Sequence, residues 1–165
     1  MPSMLPVIHE ATVEPRWVDY NGHLTEFAYA WIFSDALTAL FDRWDIAARY
    51  RERTGCTMYS LENHMVFRRE AKLGTQLRVG YRLLDWDAKR LHVLLELYDP
   101  DGAAIALYEG LSIHVRQKAG EPPRSAPFPD DVQTRMADIH ASFAAEPAPR
   151  RGASSISIRR PTATT

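Results

Sequence analysis

The chain carries one cysteine, Cys56, in 165 residues. An internal disulfide framework is therefore excluded, and a reducing compartment, the cytoplasm, is expected. No histidine-rich context surrounds Cys56 in sequence, so it reads as a small core residue rather than a nucleophile. An excess of either charge is missing too, since 20 basic against 21 acidic side chains leave a formal net charge of -1. No general pull toward nucleic acid or a membrane surface follows from that balance. Long apolar runs are also absent. The most hydrophobic stretch is interrupted by Glu26, Ser34 and Asp35, which argues against a membrane span. The opening "MPSMLPVIHEATVEP" has no basic segment leading into an apolar one, so no signal peptide is read. What is present is 45% hydrophobic and 25% charged. That composition suffices for one domain, residues 1–145, burying roughly 70% of its unfolded surface. Residues 146–165 turn to Pro, Ser, Thr and Arg and read as a disordered tail.

Residues 5–17 look like a first or edge strand interrupted by Pro6 and Pro15. From about Leu24 to Trp44 the chain is dense in Phe, Trp, Leu and Ala, without Gly or Pro. Apolar residues lie almost all round this helix, so it is expected to be enclosed. A second helical piece, "DIAARYRERTG", stops at Gly55. The period then changes to two. Leu77, Val79, Tyr81 and Leu83 alternate with polar residues, as do Leu91, Val93, Leu95 and Leu97. Ile105, Leu107, Leu111, Ile113 and Val115 share one face, with Glu109 as an intruder. These are half-buried antiparallel strands, with "DWDAKR" and "DPDGAA" as the turns between them. "TMYSLENHMVFRR" is a less regular strand, and residues 129–144 suit a short helix. The order is α+β: a curved antiparallel sheet wrapped around a long central helix, with an edge left for a second subunit.

The polar cluster "DYNGH", residues 19–23, stands immediately before that helix. A helix N-terminus offers unpaired N–H groups and partial positive charge to a developing anion. Gly22 permits close backbone approach, and Asp19 could aim a carboxylate at the same point. A carbonyl held there would meet oxyanion donors and a base or nucleophile together, the layout of acyl transfer. The plainer alternative is that Asp19 or Asn21 is the helix N-cap.

"VEPRWVDYNGHLTEFAYAWIFSDA" resembles the opening of the hotdog-fold acyl-CoA thioesterases of the 4-hydroxybenzoyl-CoA thioesterase type, and the likeness extends over roughly residues 5–117. "DYNGH", "LENHMVFRREAKLG" and "EAKLG" are closer still to the thioesterases that accompany, or are fused to, carnitine dehydrogenase and act on betainyl-CoA. The resemblance implies Asp19 as base or nucleophile, His23 as the imidazole that orients the thioester, and Asn21, Gly22 and Leu24 as the loop. Leu24-Thr25-Glu26 replaces the Val-Asn-Asn of many relatives, so Glu26 is either a second catalytic carboxylate or a favourable first-turn charge. The resemblance also places Glu62 and His64 in the site.

A betainyl group would need aromatic faces for its quaternary ammonium, and Trp17, Tyr20, Tyr29, Trp31 and Tyr59 are the candidates. Each of these also suits a core or an interface. Arg68, Arg69, Lys72, Lys89 and Arg90 are candidates for CoA phosphates, although such residues at turns usually face water. Among the six histidines no pair has zinc-like spacing, and no metal or other cofactor is expected. His92 and His114 read as satisfied strand histidines. The expected function is an acyl-CoA thioesterase working as a homodimer or homotetramer on an acyl-CoA substrate. A non-catalytic acyl-CoA or quaternary-amine binding module and a hotdog dehydratase or hydratase are the alternatives.

Overall fold

A computed structural model describes residues 4–147 and 156–160. Five strands follow one another in a single antiparallel sheet: β1 (Val7–Thr12), β2 (Cys56–Phe67), β3 (Gln76–Trp86), β4 (Arg90–Tyr98) and β5 (Ala104–Arg116). Their spatial order is β1-β3-β4-β5-β2, and a short β6 (Arg124–Ser125) pairs with the end of β5. The helix α1 (Glu26–Arg43) packs into the concave face, with α2 (Ala48–Thr54) and α3 (Asp130–Ser142) at its end. This is the hotdog arrangement, α+β, as the alternating strands and one long apolar helix imply.

The inner face is laid down by the period-two pattern. Leu77, Val79, Leu83, Leu91, Val93, Leu95 and Leu97 are buried in one cluster with Ala28, Ile32, Phe33, Ala36 and Leu40 of α1. Phe33 meets Tyr108 of β5 with ring centroids 5.6 Å apart. The turns form where Asp residues can cap them. Asp87 Oδ1 accepts the N–H groups of Lys89 and Arg90, and Asp99 Oδ1 accepts that of Ala103. Gly55 ends α2 in the left-handed conformation, φ 69°.

Two expectations change. The helix α1 is covered on one side only: Phe27 and Trp31, one turn apart, are 57% and 54% exposed. The sheet can wrap a single face of it, so an apolar stripe faces outward. Residues 156–160, placed by composition in a disordered tail, lie against the convex face of the sheet. Ile156 and Ile158 bury themselves with Leu111, and Arg160 holds Asp85 through two 2.8 Å bonds. The rest of that tail beyond residue 147 lies outside the described residues. Among the described residues no helix is long and apolar enough to cross a membrane.

Candidate active site

The loop before α1 is tied by its own aspartate. Asp19 Oδ1 accepts the N–H of Asn21 at 2.8 Å and that of His23 at 3.3 Å, while Oδ2 receives only the Asn21 side-chain amide at 3.3 Å. The turn closes through Gly22 N–H to Asp19 O and Asp19 N–H to His23 O, both 3.0 Å. Gly22 makes this possible by adopting φ +79°. What desolvation Asp19 suffers pushes its carboxyl up. The N–H groups of His23 and Asn21, the Asn21 amide and the neighbouring imidazole outweigh it and hold the group below the usual aspartate value. The loop then docks on the strand connection, with Leu24 N–H to Ala71 O at 2.8 Å and an isolated bridge between His23 and Lys72.

The chain leaves the loop at Thr25, the N-cap of α1, which makes no side-chain capping bond. Of the first-turn N–H groups, Ala28 N–H is bonded to Thr25 O at 3.0 Å, while those of Glu26 and Phe27 have no acceptor among the described residues and stay available to an anion. Beside them is a cavity of about 360 Å³, a size suited to a small ligand. His23, Leu24, Glu26 and Tyr29 form one wall, and Phe67, Arg68, Arg69 and Glu70 the other. His23 Nε2 lies 2.9 Å from Glu70 Oε2 across the mouth. The Tyr29 and Phe67 rings meet edge to face at 5.1 Å, and Tyr29 donates its hydroxyl proton to Arg69 O at 3.0 Å. Burial, with the Glu70 charge second, pushes the Tyr29 phenol up, so it is a fixed donor.

An uncapped helix end and a histidine-bearing loop thus meet over a cavity on a hotdog sheet, and comparisons with known proteins identify the family. The model of the thioesterase-like superfamily matches residues 13–136. The chain belongs to that superfamily. This thioesterase-family chain is 38% identical to the betainyl-CoA thioesterase of Pseudomonas aeruginosa over 148 residues, 89% of the chain and 91% of that relative. It is 37% identical to the L-carnitine dehydrogenase/betainyl-CoA thioesterase of Agrobacterium fabrum over 134 residues, 81% of the chain and 27% of that longer protein. Among solved structures, a Staphylococcus aureus protein in complex with CoA superposes with a TM-score of 0.79 at 26% identity, covering 96% of this chain and all (100%) of that one.

Within this thioesterase fold the residues expected at the site divide. His23, Leu24, Glu26, Arg68 and Arg69 converge on the cavity, and Asp19, Asn21 and Gly22 stand behind His23 as the loop that presents it. The N–H groups of Asn21, Gly22 and Leu24 are all committed to protein acceptors, which leaves none of them free for a ligand. Trp17 is a core residue, 7% exposed, and Tyr20 projects into solvent at 97%. Neither lines the cavity.

Glu62, His64 and Tyr59 lie on the other face of the sheet. Leu61 is an extra residue in β2, where the register against β5 shifts between Ser60 and Glu62. A bulge of this kind exchanges the two faces. Met58, Ser60, Asn63, Met65 and Phe67 consequently share the inner face, whereas Glu62 pairs with Leu111 and His64 with Glu109 on the convex one. Lys89 and Arg90 are at the opposite end of the sheet from Arg68. Arg68 N–H reaches Ile105 O, while Arg90 pairs with Ile113, eight positions along β5 and about 26 Å away. Arg90 is occupied by Asp87 and Arg159 O, and Lys89 by Ser125. The strand histidines have partners: His92 Nε2 to Glu109 at 2.7 Å, and His114 between Tyr50 and Ala126 O. Sequence reasoning missed Glu70 and Phe67 as cavity residues. Glu70 stood in the quoted "EAKLG" motif, but only its 2.9 Å approach to His23 distinguishes it.

Proposed function

We propose that this thioester hydrolase cleaves betainyl-CoA, and that the reaction takes place in the cavity at the N-terminus of α1. The observation that carries the reading is the cavity itself, where an uncapped helix end, the His23-bearing loop and carboxylates face one another. The thioester oxygen, negative in the tetrahedral intermediate, sits at the first-turn N–H groups. Asp19 takes the proton of the attacking water through Oδ2, the oxygen that carries only one long bond from Asn21, while Oδ1 keeps the loop in shape. His23 orients the thioester, and Arg68 and Arg69 receive CoA phosphates. The relative from Pseudomonas aeruginosa supplies the choice of acyl group. Free thiol at Cys56, buried in the core, suits a reducing compartment, and the cytoplasm is where we place the reaction. The working unit is a homo-oligomer, because β2 ends the sheet with its outer edge unpaired among the described residues and Leu61 exposed along it.

A second assignment of the base has its own support, since Glu26 lines the cavity and Asp19 does not. The two are separated by thiol release from Asp19→Asn and Glu26→Gln. Asp19 as base predicts a loss of about 10² to 10⁴ in kcat for the first variant and a small change for the second. Its depressed pKa adds that the acid limb of the wild-type profile falls below the ordinary aspartate value, with activity present above it. The reverse ranking of the variants gives the role to Glu26. Tight binding with no thiol release by wild type would indicate a binding module instead.

A further inference from the structure

We infer that Glu70, with the corner made by Tyr29 and Phe67, is the determinant that selects a cationic acyl group. The inference rests on the thioester reading of the same cavity and assigns a residue that the resemblance does not. A trimethylammonium cannot donate a hydrogen bond, so only a carboxylate's charge and the negative faces of aromatic rings can favour it over a neutral group of equal size. Those features meet at one place. The Tyr29 and Phe67 rings stand at 66° to each other and both line the cavity, Phe67 as its open aromatic wall at 47% exposure and Tyr29 as the largely buried ring behind it at 5%. Glu70 follows Phe67 by three residues and lines the same space. Its carboxylate is close enough to Tyr29 to raise the phenol's pKa, and His23 Nε2 fixes it at 2.9 Å. The acyl group is short: only a methylene separates the ammonium nitrogen from the thioester carbon. A carbonyl at the start of α1 therefore brings its ammonium to the neighbouring wall. Arg68 and Arg69 line the same cavity, and their long side chains can extend toward phosphates outside it, which leaves the carboxylate facing the acyl end.

The test compares betainyl-CoA with tert-butylacetyl-CoA, which has the same shape with carbon in place of the charged nitrogen. Glu70→Gln is expected to lower kcat/KM for betainyl-CoA about three- to tenfold more than for tert-butylacetyl-CoA, the difference lying mostly in KM. Phe67→Leu is expected to shift the ratio in the same direction. Selectivity of the wild type should also shrink as salt is raised from about 0.02 to 0.5 M, because the charge is partly exposed. Equal losses on both esters would assign Glu70 to the chemistry through His23 and overturn the inference. An unchanged ratio in Glu70→Gln would overturn it too. Glu70 is 68% exposed and its replacement is isosteric, so loss of fold does not obscure the result. Wild type releasing thiol from neither ester would overturn the function on which the inference rests.

Discussion

Replacing His92 by leucine tests the buried pair on the convex face of the sheet. His92 is 3% and Glu109 1% exposed, and the Nε2–Oε1 distance is 2.7 Å. Both side chains project away from α1: His92 stands opposite Leu111 and Glu109 opposite Leu94, between strands whose inner faces form the core. The variant takes the imidazole from a carboxylate that stays buried. Breaking such a pair costs about 3 to 5 kcal/mol, a large part of the 5 to 15 typical of a domain. At this chain length that corresponds to a fall in Tm of roughly 6 to 20 °C. The double variant His92→Leu/Glu109→Leu should recover at least half of the loss, because the carboxylate is removed together with its imidazole. Thermal and urea unfolding of the four proteins of the cycle measure this directly. Turnover well below the new Tm should be unchanged, since the cavity is on the other face. A single-variant loss under about 1 kcal/mol, or a double variant no better than the single, would refute the reasoning.

Two further outcomes follow from local geometry. Gly22→Ala meets no steric obstacle, yet it must hold an alanine at φ +79°; a cost of about 1 kcal/mol is expected, with a drop in kcat as the His23 loop shifts, measured by unfolding and thiol release. Burial depresses the pKa of His114, with repulsion from Arg116 adding to it, against hydrogen bonds to the Ala126 and Pro127 carbonyls. The folded state therefore binds fewer protons than the unfolded one, so stability is full above the unfolded value near 6.5 and is lost as pH falls below it. Urea midpoints that stay level from about pH 7.5 to pH 5 would contradict this.

The strands were legible in the sequence because one face of each is buried, and a period of two survives as alternating leucines in β3 and β4. The helix was legible in its extent and not in its surroundings. Phe27 and Trp31 look like core by composition, and only the reach of the sheet decides that they are not. Glu109 looked like an error on an apolar face because its partner, His92, lies on a neighbouring strand; cross-strand pairs leave no local signal. Leu61 did more damage. As one extra residue it exchanges the faces of everything after it, and so moves Glu62 and His64 from the expected site to the far side. The loop at Asp19 to His23 could be read locally because its bonds are local. Glu70 could not, since a solvated glutamate and one held by His23 look identical in sequence.

The most direct measurement is free-thiol release by the wild-type protein from betainyl-, acetyl-, butyryl- and aryl-CoA, with Asp19→Asn beside it. Rapid turnover of betainyl-CoA, slower turnover of the neutral esters and near-complete loss in Asp19→Asn are predicted. Preference for a neutral acyl chain would contradict the assigned substrate, and undiminished turnover in Asp19→Asn would contradict the assigned base.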